Sequence, residues 1–134
     1  TLKFILPIHP NPEVKKHRHI LKNVNVVSPL SYDDMIAEMA KARLIITDSG
    51  GVQEESSFLK KKSLVCRKIS ERVEGLSDFH FLVENPEELG YIFNMLIDNY
   101  KIDMPCPYGD GTASVMIADV IGRYFGENAK RFYR

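Results

Sequence analysis

The stretch Thr47-Asp48-Ser49-Gly50-Gly51-Val52-Gln53-Glu54-Glu55 carries the chemistry that constrains this chain most. Two adjacent glycines, Gly50 and Gly51, at the head of a helical segment let a ligand come close to the backbone. The leading N–H groups of a helix have no intrahelical acceptor and sit at its positive dipole end, an arrangement suited to phosphate. Ser49 adds a hydroxyl donor. Glu55 stands one turn further in, where a carboxylate can accept both hydroxyls of a ribose. A plain capped turn between strand and helix has the same local pattern, so both readings stay open here. Arg67-Lys68-Ile69-Ser70-Glu71-Arg72 gathers three cations that could neutralise a diphosphate, although runs of this kind are usually solvated loops. Pro107-Tyr108-Gly109-Asp110-Gly111 is a second glycine loop feeding a helix, and taken alone it reads as a turn. In Pro7-Ile8-His9-Pro10-Asn11-Pro12, His9 stands between prolines at a strand end, free either to contact phosphate or to cap the next helix.

These loops need strands and helices to hold them. Apolar runs at Leu2–Ile8, Val24–Val27, Leu44–Thr47, Ser63–Cys66 and Phe79–Val83 read as five strands. Helical patterns fall between them: Pro12 to Leu21, a segment capped by Ser31, another after Gly51, one with Asn85 as N-cap and Pro86 at its first position, and a last long one from Thr112. In the Ser31 helix, Met35, Ile36, Met39 and Ala40 form the apolar stripe. In the last helix, Val115, Ile117, Ala118, Val120, Ile121 and Tyr124 are expected to be buried. Short strands without alternation, alternating with helices, argue an α/β fold: a Rossmann-like open parallel sheet with helices on both faces. In such sheets ligands sit beyond the carboxyl ends of the strands, where all four loops lie.

The 134 residues fit a single domain, residues 1–134. Lys plus Arg and Asp plus Glu are balanced at 18 each, so nucleic acid and anionic membranes are not expected partners. An anion must be caught by a local site rather than by a broad field. The two cysteines, Cys66 and Cys106, lack paired spacing, which argues against a disulfide framework or a metal site. No apolar run approaches the length of a membrane span, and no secretory signal opens the chain. The sequence starts at Thr1 and reads as strand from Leu2, so a fragment of a longer chain is expected.

Together the motifs resemble the non-hydrolysing UDP-N-acetylglucosamine 2-epimerases. Asp48-Ser49-Gly50-Gly51-Val52-Gln53-Glu54-Glu55 is similar to that family's D-S-G-G-x-Q-E-E text, Glu71-Arg72 to its E-R-P-E, and Pro107-Tyr108-Gly109-Asp110-Gly111 to its N-P-Y-G-D-G. Pro7-Ile8-His9-Pro10-Asn11-Pro12 looks like its P-V-H-x-N-P. The likeness spans the chain in motif order. Val73 departs from the usual Pro and Cys106 from the usual Asn, and the loop after Glu74 is short. These changes bear on the sugar end of the site.

The resemblance implies the second half of a glycosyltransferase-B type two-domain enzyme, an isomerase that interconverts UDP-GlcNAc and UDP-ManNAc by eliminating and re-adding UDP. By that likeness Ser49, Gly51 and Arg72 handle phosphate or its neighbours, Glu55 takes the ribose, backbone near Met35 meets the uracil, and Gly50 and His9 count among the substrate-binding residues. The acid and base carboxylates are expected on an N-terminal domain outside this sequence. No cofactor and no metal are implied. A cytoplasmic homodimer serving polysaccharide biosynthesis is the expected setting. The donor-binding half of a glycosyltransferase of the same architecture is a second reading. A flavodoxin-like regulatory module is a third, against which the acidic cluster expected after the first strand is missing.

Overall fold

The computed structural model describes residues 2–132, with side chains through residue 126. The chain divides into two compact units, Thr1–Lys41 and Ala42–Arg134. In the first unit, strand β1 (Ile5–Pro7) pairs in parallel with β2 (Asn25–Val27), with Ile5 opposite Asn25 and Pro7 opposite Val27. The expected helix over Pro12–Leu21 instead breaks into two turns: α1 (Pro12–Lys15) and a 3-10 turn over Arg18–Ile20. Asn11 caps α1 by accepting the Glu13 N–H at 2.9 Å, and Pro12 fits the first helical position. The cause of the break lies in Lys15-Lys16-His17-Arg18-His19. No residue of either turn is buried, and a short helix without an apolar face to bury is marginal in water.

Helix α2 (Tyr32–Lys41) begins where the sequence indicates. The Ser31 hydroxyl accepts the Asp34 N–H at 3.2 Å and donates to the Asp34 carboxylate at 2.7 Å. Met39 is buried, Met35 and Ile36 are half-buried, and Ala40 is exposed. Ile5 and Leu6 of β1 are also exposed, whereas Ile8 just beyond the strand is buried.

The second unit builds a three-stranded parallel sheet in the order β3 (Leu44–Thr47), β4 (Lys62–Val65), β5 (His80–Leu82). Helix α3 (Gly50–Phe58) connects β3 to β4, and α4 (Leu89–Ile97) and α5 (Ala113–Phe132) follow β5. Register decides what these elements position. Thr47 lies opposite Val65, and Val65 opposite Leu82, so the three strands finish in line. The Cys66 N–H donates to the Thr47 carbonyl at 2.8 Å and the Val83 N–H to the Val65 carbonyl at 2.9 Å, extending the alignment into the loops. The core beneath consists of Leu64, Val83 and Leu96, with Leu44, Phe81, Leu89, Ile92 and Phe93 packed around it. Burying each such side chain is worth about 1.5–3 kcal/mol.

Two expectations change here. The Asn85 side chain donates to the Glu88 carboxylate at 3.1 Å rather than capping the backbone, and Pro86–Glu88 wind as a 3-10 turn ahead of α4. On α5, the stripe expected to be buried is exposed, from 50% at Ile121 to 69% at Val115, with Ile117, Ala118, Val120 and Tyr124 exposed as well. Helical spacing establishes that an apolar stripe exists; it does not say what covers it.

Candidate functional site

The turn from β3 into α3 is fixed by two hydroxyls. Thr47 accepts the Ser49 N–H at 3.0 Å, and Ser49, in extended conformation, accepts the Val52 N–H at 3.5 Å as the N-cap of α3. Gly50 and Gly51 form the first turn, whose N–H groups point out of the helix end. The glycines serve different purposes. A Cβ on Gly51 would meet nothing nearer than the Ser49 hydroxyl at 3.9 Å, so this backbone is open to close approach. A Cβ on Gly50 would lie 2.5 Å from a Glu71 carboxylate oxygen and 3.7 Å from the Arg72 guanidinium carbon. Gly50 therefore admits the loop that follows β4.

That loop carries the charges. The Arg72 guanidinium pairs with Glu54 through Nε and lies 3.4 Å from Glu71 through Nη1. The other Glu71 oxygen accepts from Arg67 at 3.0 Å. A hydrogen bond from its own backbone N–H and the nearby Arg67 and Arg72 hold the Glu71 carboxyl below its ordinary range. These pairs are partly exposed and screened by solvent, so a polyanion can compete for Arg72. Glu55 is half-buried, and its carboxylate has no hydrogen bond or ion pair among the described residues. Cys66 is exposed, and partial desolvation and the Asp48 charge push its thiol up.

Ser49, Gly50, Gly51, Glu55 and Arg72 thus all belong to the second unit, along the line where the strands finish. His9 and Met35 belong to the first. His9 is exposed at the end of β1, where its Nδ1 accepts the Asn11 N–H at 3.2 Å, a local turn contact. Met35 is half-buried in the first turn of α2.

The sequence reading missed a buried polar network behind the site. Gln53, Ser56, Ser57, Ser63 and His80 are fully buried, and Ser70 nearly so. Gln53 donates to the Ser49 carbonyl at 3.3 Å and accepts from the Ser70 hydroxyl at 2.7 Å. Ser57 donates to the Gln53 carbonyl at 3.0 Å, so its oxygen takes the His80 Nε2–H at 3.1 Å, leaving Nδ1 to accept from Ser63 at 2.8 Å. This donor pattern suits a neutral imidazole, and burial lowers the His80 pKa to about 4. Tyr108 stacks on His80 with ring centres 5.9 Å apart, and its hydroxyl donates to the Arg72 carbonyl at 3.0 Å. Beyond it, Gly109 and Gly111 adopt φ of +104° and +89°, which favour glycine. The Asp110 carboxylate accepts from Thr112 N–H and hydroxyl at 3.0 and 2.6 Å, which lowers its pKa and secures the start of α5. A histidine inside the apolar run Phe79–Val83 was the signal available in the sequence.

Among the described residues no group of three or more His, Cys, Asp or Glu is arranged to hold a metal ion, and no helix is long and apolar enough to cross a membrane. The family model described as UDP-N-acetylglucosamine 2-epimerase matches residues 1–122. The chain belongs to this epimerase family. A UDP-N-acetylglucosamine 2-epimerase of Neisseria meningitidis serogroup A is 33% identical over 90% of this chain and 36% of its own length. The Bacillus subtilis enzyme of the same name is 34% identical over 93% of this chain, again 36% of its own length. Among solved structures, the S. aureus MnaA–UDP co-structure superposes with a TM-score of 0.85 at 32% identity, covering 93% of this chain and 36% of that one. The N. meningitidis UDP-GlcNAc 2-epimerase bound to UDP-GlcNAc gives 0.71 at 31%, covering 92% and 37%. The chain therefore spans little more than a third of these epimerases.

Proposed function

We propose that this chain is the UDP-binding half of a two-domain UDP-GlcNAc 2-epimerase of the glycosyltransferase-B type. The observation that carries the reading is the in-line finish of β3 and β4, which sets the open Gly51 backbone and the Ser49-capped helix end beside Arg72. Helix N–H groups, a hydroxyl and a guanidinium fork form a donor set matched to a diphosphate. The unpaired Glu55 carboxylate, further along the same helix, suits a ribose diol. Solved neighbours of the family that hold UDP and UDP-GlcNAc support this assignment.

In the complete enzyme, UDP leaves C1 of the sugar as a proton leaves C2, giving a 2-acetamidoglucal, and returns after protonation on the opposite face. Negative charge grows on the diphosphate as the C1–O bond breaks, and fixed donors stabilise it without reorganising. The proton-moving carboxylates belong to the other domain, outside this sequence. Calorimetric titration of the chain with UDP, alongside an epimerisation assay, tests the proposal. Weak UDP binding without turnover is expected, since positioned acid–base groups alone are worth about two to four powers of ten. Absence of UDP binding, or brisk epimerisation by this chain alone, would overturn it.

A further inference from the structure

We infer that Tyr108 and Gln53 are positioning residues that clamp the backbone of Arg72 and so aim its guanidinium at the diphosphate, an inference that rests on the functional reading above. Both polar groups of the Arg72 peptide backbone are held, the carbonyl by a distant residue and the N–H within its own loop. Its carbonyl accepts the Tyr108 hydroxyl at 3.0 Å, across 36 positions of sequence. Its N–H donates to the Ser70 hydroxyl oxygen at 3.1 Å. Ser70 in turn donates to Gln53, and the Gln53 amide reaches the carbonyl of Ser49, the N-cap of α3. The chain of hydrogen bonds thus runs from the phosphate-facing helix end to the cation that would face the same phosphate.

Two further observations show that the fold makes room for this clamp. Gln53 has no exposed surface, so its amide is committed to these partners, and an unpaired replacement would be costly. A Cβ on Gly75 would stand 2.7 Å from the Tyr108 hydroxyl, so the absence of a side chain there lets the phenol through. Arg72 itself is flanked by Glu54 and Glu71, which pair with its guanidinium. The backbone ties set where the side chain starts, and the carboxylates act only on where it ends.

The test is a double-mutant cycle on UDP binding by this chain, with uridine as the second ligand and a thermal melt on every variant. Tyr108→Phe removes the hydroxyl and keeps the ring on His80. It is expected to weaken UDP roughly three- to tenfold, the scale of one hydrogen bond, and to leave uridine unchanged. In an Arg72→Ala background the same substitution is expected to cost nothing further. Equal losses in both backgrounds, no loss in either, or a loss shared equally by uridine would make Tyr108 a merely structural tie and overturn the inference. A wild-type chain that binds uridine but not UDP would instead overturn the diphosphate reading, and the clamp with it.

Discussion

Glu55 and Arg72 are proposed to take the ribose and the diphosphate of the nucleotide, and their surroundings differ. Among the described residues the Glu55 carboxylate has no partner, so Glu55→Gln should leave the fold intact while removing a charged acceptor from a ribose diol. UDP affinity is expected to fall about tenfold and pyrophosphate affinity to hold, because pyrophosphate has no diol to lose. Equal losses in calorimetry would return Glu55 to a structural role on the helix. Arg72 is tied to Glu54 and Glu71, both partly exposed, so Arg72→Ala should shift the melting temperature little. In the complete enzyme, turnover is expected to drop about ten- to a thousandfold, the scale of one lost donor to developing charge. Steady-state kinetics showing a normal kcat would remove Arg72 from the leaving-group role.

Among the elements, the loop after β4 and the strand β5 meet at glycines with unlike neighbours. A methyl on Gly50 would strike the Glu71 carboxylate, the free end of a flexible side chain, which can swing away. A methyl on Gly75 would lie 2.5 Å from the His80 ring, which two serines pin in place. Gly75→Ala is therefore expected to destabilise by about 1–3 kcal/mol, as overpacking does, and Gly50→Ala by much less. Thermal melts that rank them the other way would contradict this geometry. His80 also sets a pH dependence. Its folded pKa of about 4 lies below its usual 6.5, so the unfolded chain takes up the proton first as pH falls. Stability from this residue is full above about pH 6.5 and is lost toward pH 4, by on the order of 3 kcal/mol in all. Glu71 and Asp110, with lowered pKa values, lose their contributions only at lower pH. Urea melts of wild type and His80→Gln between pH 7 and 4.5 should show the slope in the first and a flatter line in the second.

At the scale of the whole molecule, α5 is the element whose surroundings differ most from expectation. Val115, Met116, Ile117, Val120, Ile121 and Phe125 are each at least half exposed. Ile121→Lys should accordingly leave the melting temperature of this chain unchanged and reduce its binding of an apolar dye. A marked fall in melting temperature would show that the stripe packs in solution. The chain covers little more than a third of the related epimerases, so a surface that is open here need not be open in proteins of their length.

The sequence determined much of this protein directly, because some signals are local. The Asp48-Ser49-Gly50-Gly51 turn, the Ser31 cap and the α/β alternation rest on side chains acting within a few residues of themselves. The run of motifs in order was enough to indicate the family. Tertiary structure decided the rest, because the deciding partners are far apart in the chain. Strand register and the course of the loop after β4 brought Arg72 beside Gly50, and packing on His80 brought the Tyr108 hydroxyl to the Arg72 carbonyl. Burial joined Gln53 and His80 into one network through Ser57. Periodicity marked the stripe on α5 but could not say whether anything covers it, since an amphipathic pattern records a preference and not a neighbour.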